Sequence, residues 1–136
     1  MSIPSSSTPT LPPIPDSKLC YRVVRKAEWE QIQNDKYYTG SALDIKDGYL
    51  HMSYKEAVIG TIQKYYANIN DVHVLVIDMN KLPPENLKIE WVPSRNNYFP
   101  HLYTTPLSID AIQDALLIPL LEDGKFNFAN TVFSQD

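Results

Sequence analysis

The 136-residue sequence holds one cysteine, four glycines and no apolar run near the length of about 18 residues that a bilayer span needs. A lone Cys20 excludes an internal disulfide and a multi-cysteine zinc site. Lying between Leu19 and Tyr21, it reads as a small buried residue rather than a nucleophile. No arginine precedes Arg22, and the first residues lack the basic start and apolar stretch of a secretory signal. The expected location is therefore the cytoplasm, with nuclear access open at this size. Positive charge is also scarce: 12 lysines and arginines face 16 acidic residues, giving a net charge of -4. Such a balance disfavours a surface that tracks a nucleic-acid backbone, although it leaves room for a local basic pocket. The three histidines, His51, His73 and His101, occur in no His-x-His or HExxH spacing, so no metal site is expected.

Proline, by contrast, is abundant. Five of the 11 prolines (Pro4, Pro9, Pro12, Pro13 and Pro15) fall in the first fifteen residues, among serines and threonines. This composition offers little apolar area against the entropy of ordering, and residues 1–17 are expected to form a disordered tail. A single domain over 18–125 follows, with 126–136 as a C-terminal extension. Within it, residues 19–24 read as a strand, and 27–33 change period to an amphipathic helix. Asp47-Gly48 marks a turn before extended residues 49–52. Ser53-Tyr54-Lys55-Glu56 has the spacing of a capping box, which predicts a helix over 54–67 opened by Ser53. The β-branched stretch 72–78 predicts a central strand. A further strand is expected over 87–92, an ordered proline-bounded loop over 94–106, a helical turn at 108–110 and a last strand over 115–121. The fold class is α+β, with short strands and two main helices.

Three groups of residues carry chemistry. His51 and Ser53 share one side of an extended segment at the predicted helix start, where free N–H groups favour an anion or a ribose hydroxyl. The competing reading makes Ser53 only a cap and His51 a satisfied strand-end residue. Glu90, Trp91 and Arg95 flank one edge of the proline-bounded loop, and Phe99, His101 and Tyr103 the other. Together they supply proton donors and acceptors, an anion clamp and a stacking surface, as a nucleotide or phosphate site requires. Alternatively, Arg95 pairs with Glu90 while Trp91, Phe99 and Tyr103 fill the core.

The order Tyr21-Arg22-Val23-Val24, Thr39-Gly40-Ser41-Ala42-Leu43-Asp44, Asp47-Gly48-Tyr49-Leu50-His51-Met52-Ser53, Glu90-Trp91 with Ser94-Arg95, and Phe99-Pro100-His101-Leu102-Tyr103 resembles the domain of unknown function 952 family, DUF952, over about residues 19–120. That resemblance implies a small domain of short curved sheets grouped with ADP-ribosyltransferase-like folds, which bind NAD. His51 and Ser53 then resemble the His-x-Thr/Ser element that holds the ribose and carboxamide of NAD. By the same carry-over His51 and His101 are the catalytic candidates, with Ser53, Arg95, Tyr103 and Glu90 as ligand-binding ones. The triad tyrosine and late glutamate of the transferases lack a clear counterpart, Tyr103 and Glu90 or Glu122 being available. Thr104-Thr105 also stands where members carry a glycine.

The expected function is binding of NAD, ADP-ribose or a phosphorylated ribose derivative, with transfer or cleavage at the ribose. No cofactor is required, NAD enters as a substrate, and the same resemblance leaves an RNA end, through a local contact, as the one nucleic-acid partner expected. The alternative is a non-enzymatic interaction domain that docks a protein partner through its aromatic loop and proline-rich tail. A Ser53 or Ser94 hydrolase ranks last, since neither serine has a G-x-S-x-G setting.

Overall fold

The computed structural model describes residues 10–129. Residues 1–9 of the expected tail and 130–136 of the extension lie outside them. The described chain forms an α+β domain of antiparallel sheets. Strand β1 (Leu19–Arg25) leads into helix α1 (Lys26–Asp35), the short strand β2 (Tyr37–Tyr38), helix α2 (Ala42–Asp47), strand β3 (Tyr49–His51) and helix α3 (Lys55–Tyr65). Then follow β4 (Val72–Asp78), β5 (Leu87–Val92), β6 (Asn97–Tyr103), β7 (Leu107–Ser108) and β8 (Ile112–Leu117). The sheet orders are β1-β4-β8, β2-β7 and β3-β6-β5. No described helix is long and apolar enough to cross a membrane.

Strand β4 is central, as its β-branched composition predicts, and it pairs with β1 from Leu19↔Asp78 to Arg25↔Val72. Side chains alternate across this sheet, so its two faces build two cores. Tyr21, Val23, Val72, Val74 and Val76 pack against Val58 and Ile62 of α3. On the other face Cys20, Val24, Leu75 and Ile77 meet Ile32 of α1 and Leu50, Met52 and Leu102 of the second three-stranded sheet. Cys20 is fully buried, and burial pushes its thiol up to about 12, in keeping with a packing residue.

Four expectations change. Residues 94–106 are not a loop: after a turn at 93–96 the chain forms β6, the middle strand of the second sheet. Pro100 is tolerated there because it lies where one ladder ends. Its carbonyl accepts from Met52 N at 3.0 Å, and with no N–H to return, pairing of β3 with β6 stops after His51↔His101. The chain then crosses to β1, where Tyr21 and Ser53 exchange two backbone bonds of 2.8 Å. Consequently Ser53 is extended and does not cap α3; Tyr54 is the N-cap residue and makes no side-chain cap bond. The last strand runs over Ile112–Leu117 rather than 115–121, since Ile118 turns inward and donates to Val72 O at 2.9 Å, just ahead of Pro119. A third helix, α2, also forms. Ser41 and Asp44 make its capping box, and Gly48 closes it with φ 88°.

Candidate functional site

Asp44, in the first turn of α2, is buried, with Arg22 of β1 beside it. The pair is bidentate, with both Arg22 guanidinium nitrogens donating to Asp44 at 2.8 Å. Arg22 also donates to His51 O at 3.0 Å and to Tyr38 Oη at 2.9 Å, and Tyr38 donates in turn to Glu28 at 2.9 Å. Asp44 accepts further bonds from Ser41 N and Oγ and from His51 N, and its Oδ1 lies 2.8 Å from His51 Nδ1. Burial alone raises a carboxyl, but the bonds from His51 and Arg22 hold Asp44 well below the usual carboxylate range. Burial likewise lowers the Arg22 guanidinium, yet the Asp44 bond raises it on balance. This network locks α2, β1 and β3 together and fixes the backbone and ring of His51.

The ring nitrogen of His51 opposite Asp44 contacts Asp47 Oδ2 at 2.9 Å. Carboxylates only accept, so both contacts are satisfied together when each ring nitrogen carries a proton. Directly across the ladder stands His101, with the two rings 5.6 Å apart. His101 is buried, and its Nδ1 lies 2.7 Å from Glu90 Oε1 on β5. Tyr103 Oη donates to the same oxygen. Burial lowers the His101 imidazole despite Glu90, which favours the neutral ring. The bonds from Tyr103 and then His101 lower the Glu90 carboxyl, while Glu90 pushes the Tyr103 phenol up to about 12. A neutral His101 whose Nδ1–H donates a hydrogen bond to Glu90 keeps the Nε2 lone pair as an acceptor. The ring of Tyr49 packs between these groups, 4.6 Å from His51, 4.1 Å from His101 and 4.9 Å from Tyr103.

These side chains share one face of the second three-stranded sheet, and that face forms a wall of a cavity of about 480 Å³ closed by α2, β1 and α3. His51, Ser53, Arg95 and His101 all line it. The Ser53 hydroxyl makes no hydrogen bond among the described residues, its backbone alone being committed to β1. Arg95 does not pair with Glu90. Its guanidinium lies 4.8 Å above the Phe99 ring and donates to Thr61 Oγ1 at 3.2 Å, with no carboxylate partner among the described residues. Glu90 and Tyr103 stand behind His101 and do not line the cavity, and Glu122 is an exposed turn residue away from it. Trp91 lies on the opposite sheet face, against Tyr98. His73, on β4, is held by the Asp71 carbonyl at 3.0 Å.

Sequence reasoning singled out neither Asp44 and Arg22 nor Tyr49 as site residues. A signal for Asp44 was present: Ser41-Ala42-Leu43-Asp44 has capping-box spacing ahead of Gly48. Arg22, buried within a strand of apolar neighbours, implied a carboxylate partner without naming it. Tyr49 becomes legible only through the register Tyr49↔Tyr103.

No curated protein matches the chain. Among solved structures, the crystal structure of protein CC0527 from Caulobacter crescentus aligns with a TM-score of 0.72 and 29% identity over 81% of this chain and 94% of that one. The solution NMR structure of CC0527 gives 0.67 and 30% over 79% and 90%. A family model described as a protein of unknown function, DUF952, matches residues 23–115, from the end of β1 through most of β8. The match covers more than half of the 136 residues, and the chain therefore belongs to the DUF952 family.

Proposed function

We propose that the cavity binds NAD, ADP-ribose or a phosphorylated ribose derivative, and that the paired histidines act on the ribose by transfer or cleavage. The observation that carries this reading is the convergence of His51, Ser53, Arg95 and His101 on one cavity. The Arg95 guanidinium, stacked on Phe99 and without a carboxylate partner among the described residues, suits a phosphate at the rim. The Ser53 hydroxyl, unbonded among the described residues, and the Nε2 acceptor of His101 suit ribose hydroxyls, and the Tyr49 ring offers a planar wall. A neutral His101 held by Glu90 takes a proton from a hydroxyl, and His51, fixed across the ladder between Asp44 and Asp47, sets the opposite side of the ribose site. The grouping with ADP-ribosyltransferase-like folds that the sequence resemblance implies points to the same ligand class. Transferase chemistry with a polarising glutamate fits less well, because Glu90 already accepts from His101 and Tyr103.

Calorimetric titration with NAD, ADP-ribose and a 2'-phosphorylated nucleotide tests the reading. Saturable heat from at least one of them is expected, weakened tenfold or more by Arg95→Ala and by His101→Ala. Absence of binding to wild-type protein by all three overturns it.

A further inference from the structure

A second surface lies on the other face of the β5–β6 ribbon, at its turn end. Trp91 and Tyr98 are cross-strand partners there, with ring centroids 5.1 Å apart and planes at 72°. Alternation along β6 places Tyr98 on the face opposite His101 and the cavity. Tyr98 is only 8% exposed, and its hydroxyl donates to the Pro12 carbonyl at 2.6 Å, joining parts of the chain 86 residues apart. Residues 10–17 form no helix or strand. Pro12, Pro13 and Pro15 preset φ near -65° and bring no N–H of their own, so the carbonyls around them are acceptors without local donors. Leu11 and Ile14 stay 54% and 52% exposed, so burial of these apolar side chains is not what holds the segment. The contact reads an extended proline-rich backbone through an aromatic hydroxyl, the physics by which aromatic grooves select such chains.

We infer that the Trp91–Tyr98 end of the ribbon is a docking site for an extended proline-rich segment, occupied in cis by residues 10–15 of the same chain. The tether supplies an effective concentration of about a millimolar, enough for a weak contact to persist and low enough for exchange. This inference is independent of the cavity: a failed nucleotide titration leaves it untouched.

The test follows the Trp91 indole N–H in ¹H–¹⁵N spectra of the full chain, assigned with Trp91→Phe. In the combined variant Pro12→Gly, Pro13→Gly and Pro15→Gly, the signal is expected to move. A synthetic peptide of residues 10–17 is expected to return it saturably, whereas a peptide with alanine for each proline is not. Adding Tyr98→Phe, which keeps the ring and removes the donor, is expected to weaken peptide binding about fivefold, the worth of one hydrogen bond. An indole signal identical in wild type and the proline variant, or an equal response to the alanine peptide, overturns the inference. Loss of the peptide response in Arg95→Ala also overturns it, since the binding event would then belong to the cavity.

Discussion

Asp44 takes part in more hydrogen bonds than any other side chain of the site and is the least replaceable. Buried opposite Arg22, it also holds Ser41 and both the backbone and ring of His51. Asp44→Asn keeps the shape and removes the charge, leaving a guanidinium in a poorly hydrated site without its counter-ion. Breaking a buried pair in this way costs about 3–5 kcal/mol, so the urea midpoint is expected to fall sharply with little change in slope. Combining it with Arg22→Met is expected to recover part of the loss, because the stranded charge goes too. A double variant no more stable than Asp44→Asn would show that the remaining bonds of Asp44, rather than the pair, dominate. The site was only half legible at this scale. Residue type pointed to His51, Arg95 and His101, since imidazole and guanidinium advertise chemistry. Asp44 was hidden because its role depends on Arg22, a partner 22 positions away.

Elements with their own local logic could be read from the sequence, while those defined by distant pairing could not. Strand β4 is rich in β-branched residues, and α1 follows its period. Strand β6 was missed because Pro100 and the flanking asparagines argue locally for a loop; only the end of the β3 ladder makes the proline harmless. Ser53 offered a capping box that lost to pairing with Tyr21, since two backbone bonds to a sheet outweigh one side-chain cap. The glycines give the element scale its sharpest contrast. Gly40, entering α2, has φ +104°, and a Cβ there would stand 2.6 Å from Asp44 Cβ and 2.8 Å from Leu50 Cδ2. Gly40→Ala is therefore expected to destabilise by about 3 kcal/mol, combining strain with overpacking against a helix that cannot retreat without moving Asp44. Gly60 lies within α3, where a Cβ meets nothing within 4 Å. Gly60→Ala is expected to stabilise by about 0.5–1 kcal/mol. Thermal melts of the two variants, moving in opposite directions from wild type, check both; a shift of the same sign would refute the local account.

For the whole molecule, the two three-stranded sheets meet through the core containing Leu50, Leu75, Ile77 and Leu102, and the titrating groups at their edge make stability depend on pH in two stages. His101 is lowered in the folded state, chiefly by burial, so as pH falls from about 6.5 the unfolded chain takes up the proton first. Stability present above that value is therefore lost as pH drops toward the folded-state value. Asp44 and Glu90 are also lowered, which places their contribution above about pH 4 and makes it disappear as pH falls further. Urea unfolding from pH 8 to pH 3.5 is expected to show a shallow decline beginning near 6.5 and a steeper one near 4. His101→Gln retains an N–H to offer Glu90 but cannot gain a proton, so subtracting its curve from wild type isolates the upper stage. That difference should be flat above about 7 and should fall as pH drops below about 6.5. A difference that rises with acidification over the same window would mean that Glu90, rather than burial, governs the imidazole. His101 would then face the cavity as a cation and could not accept the ribose proton.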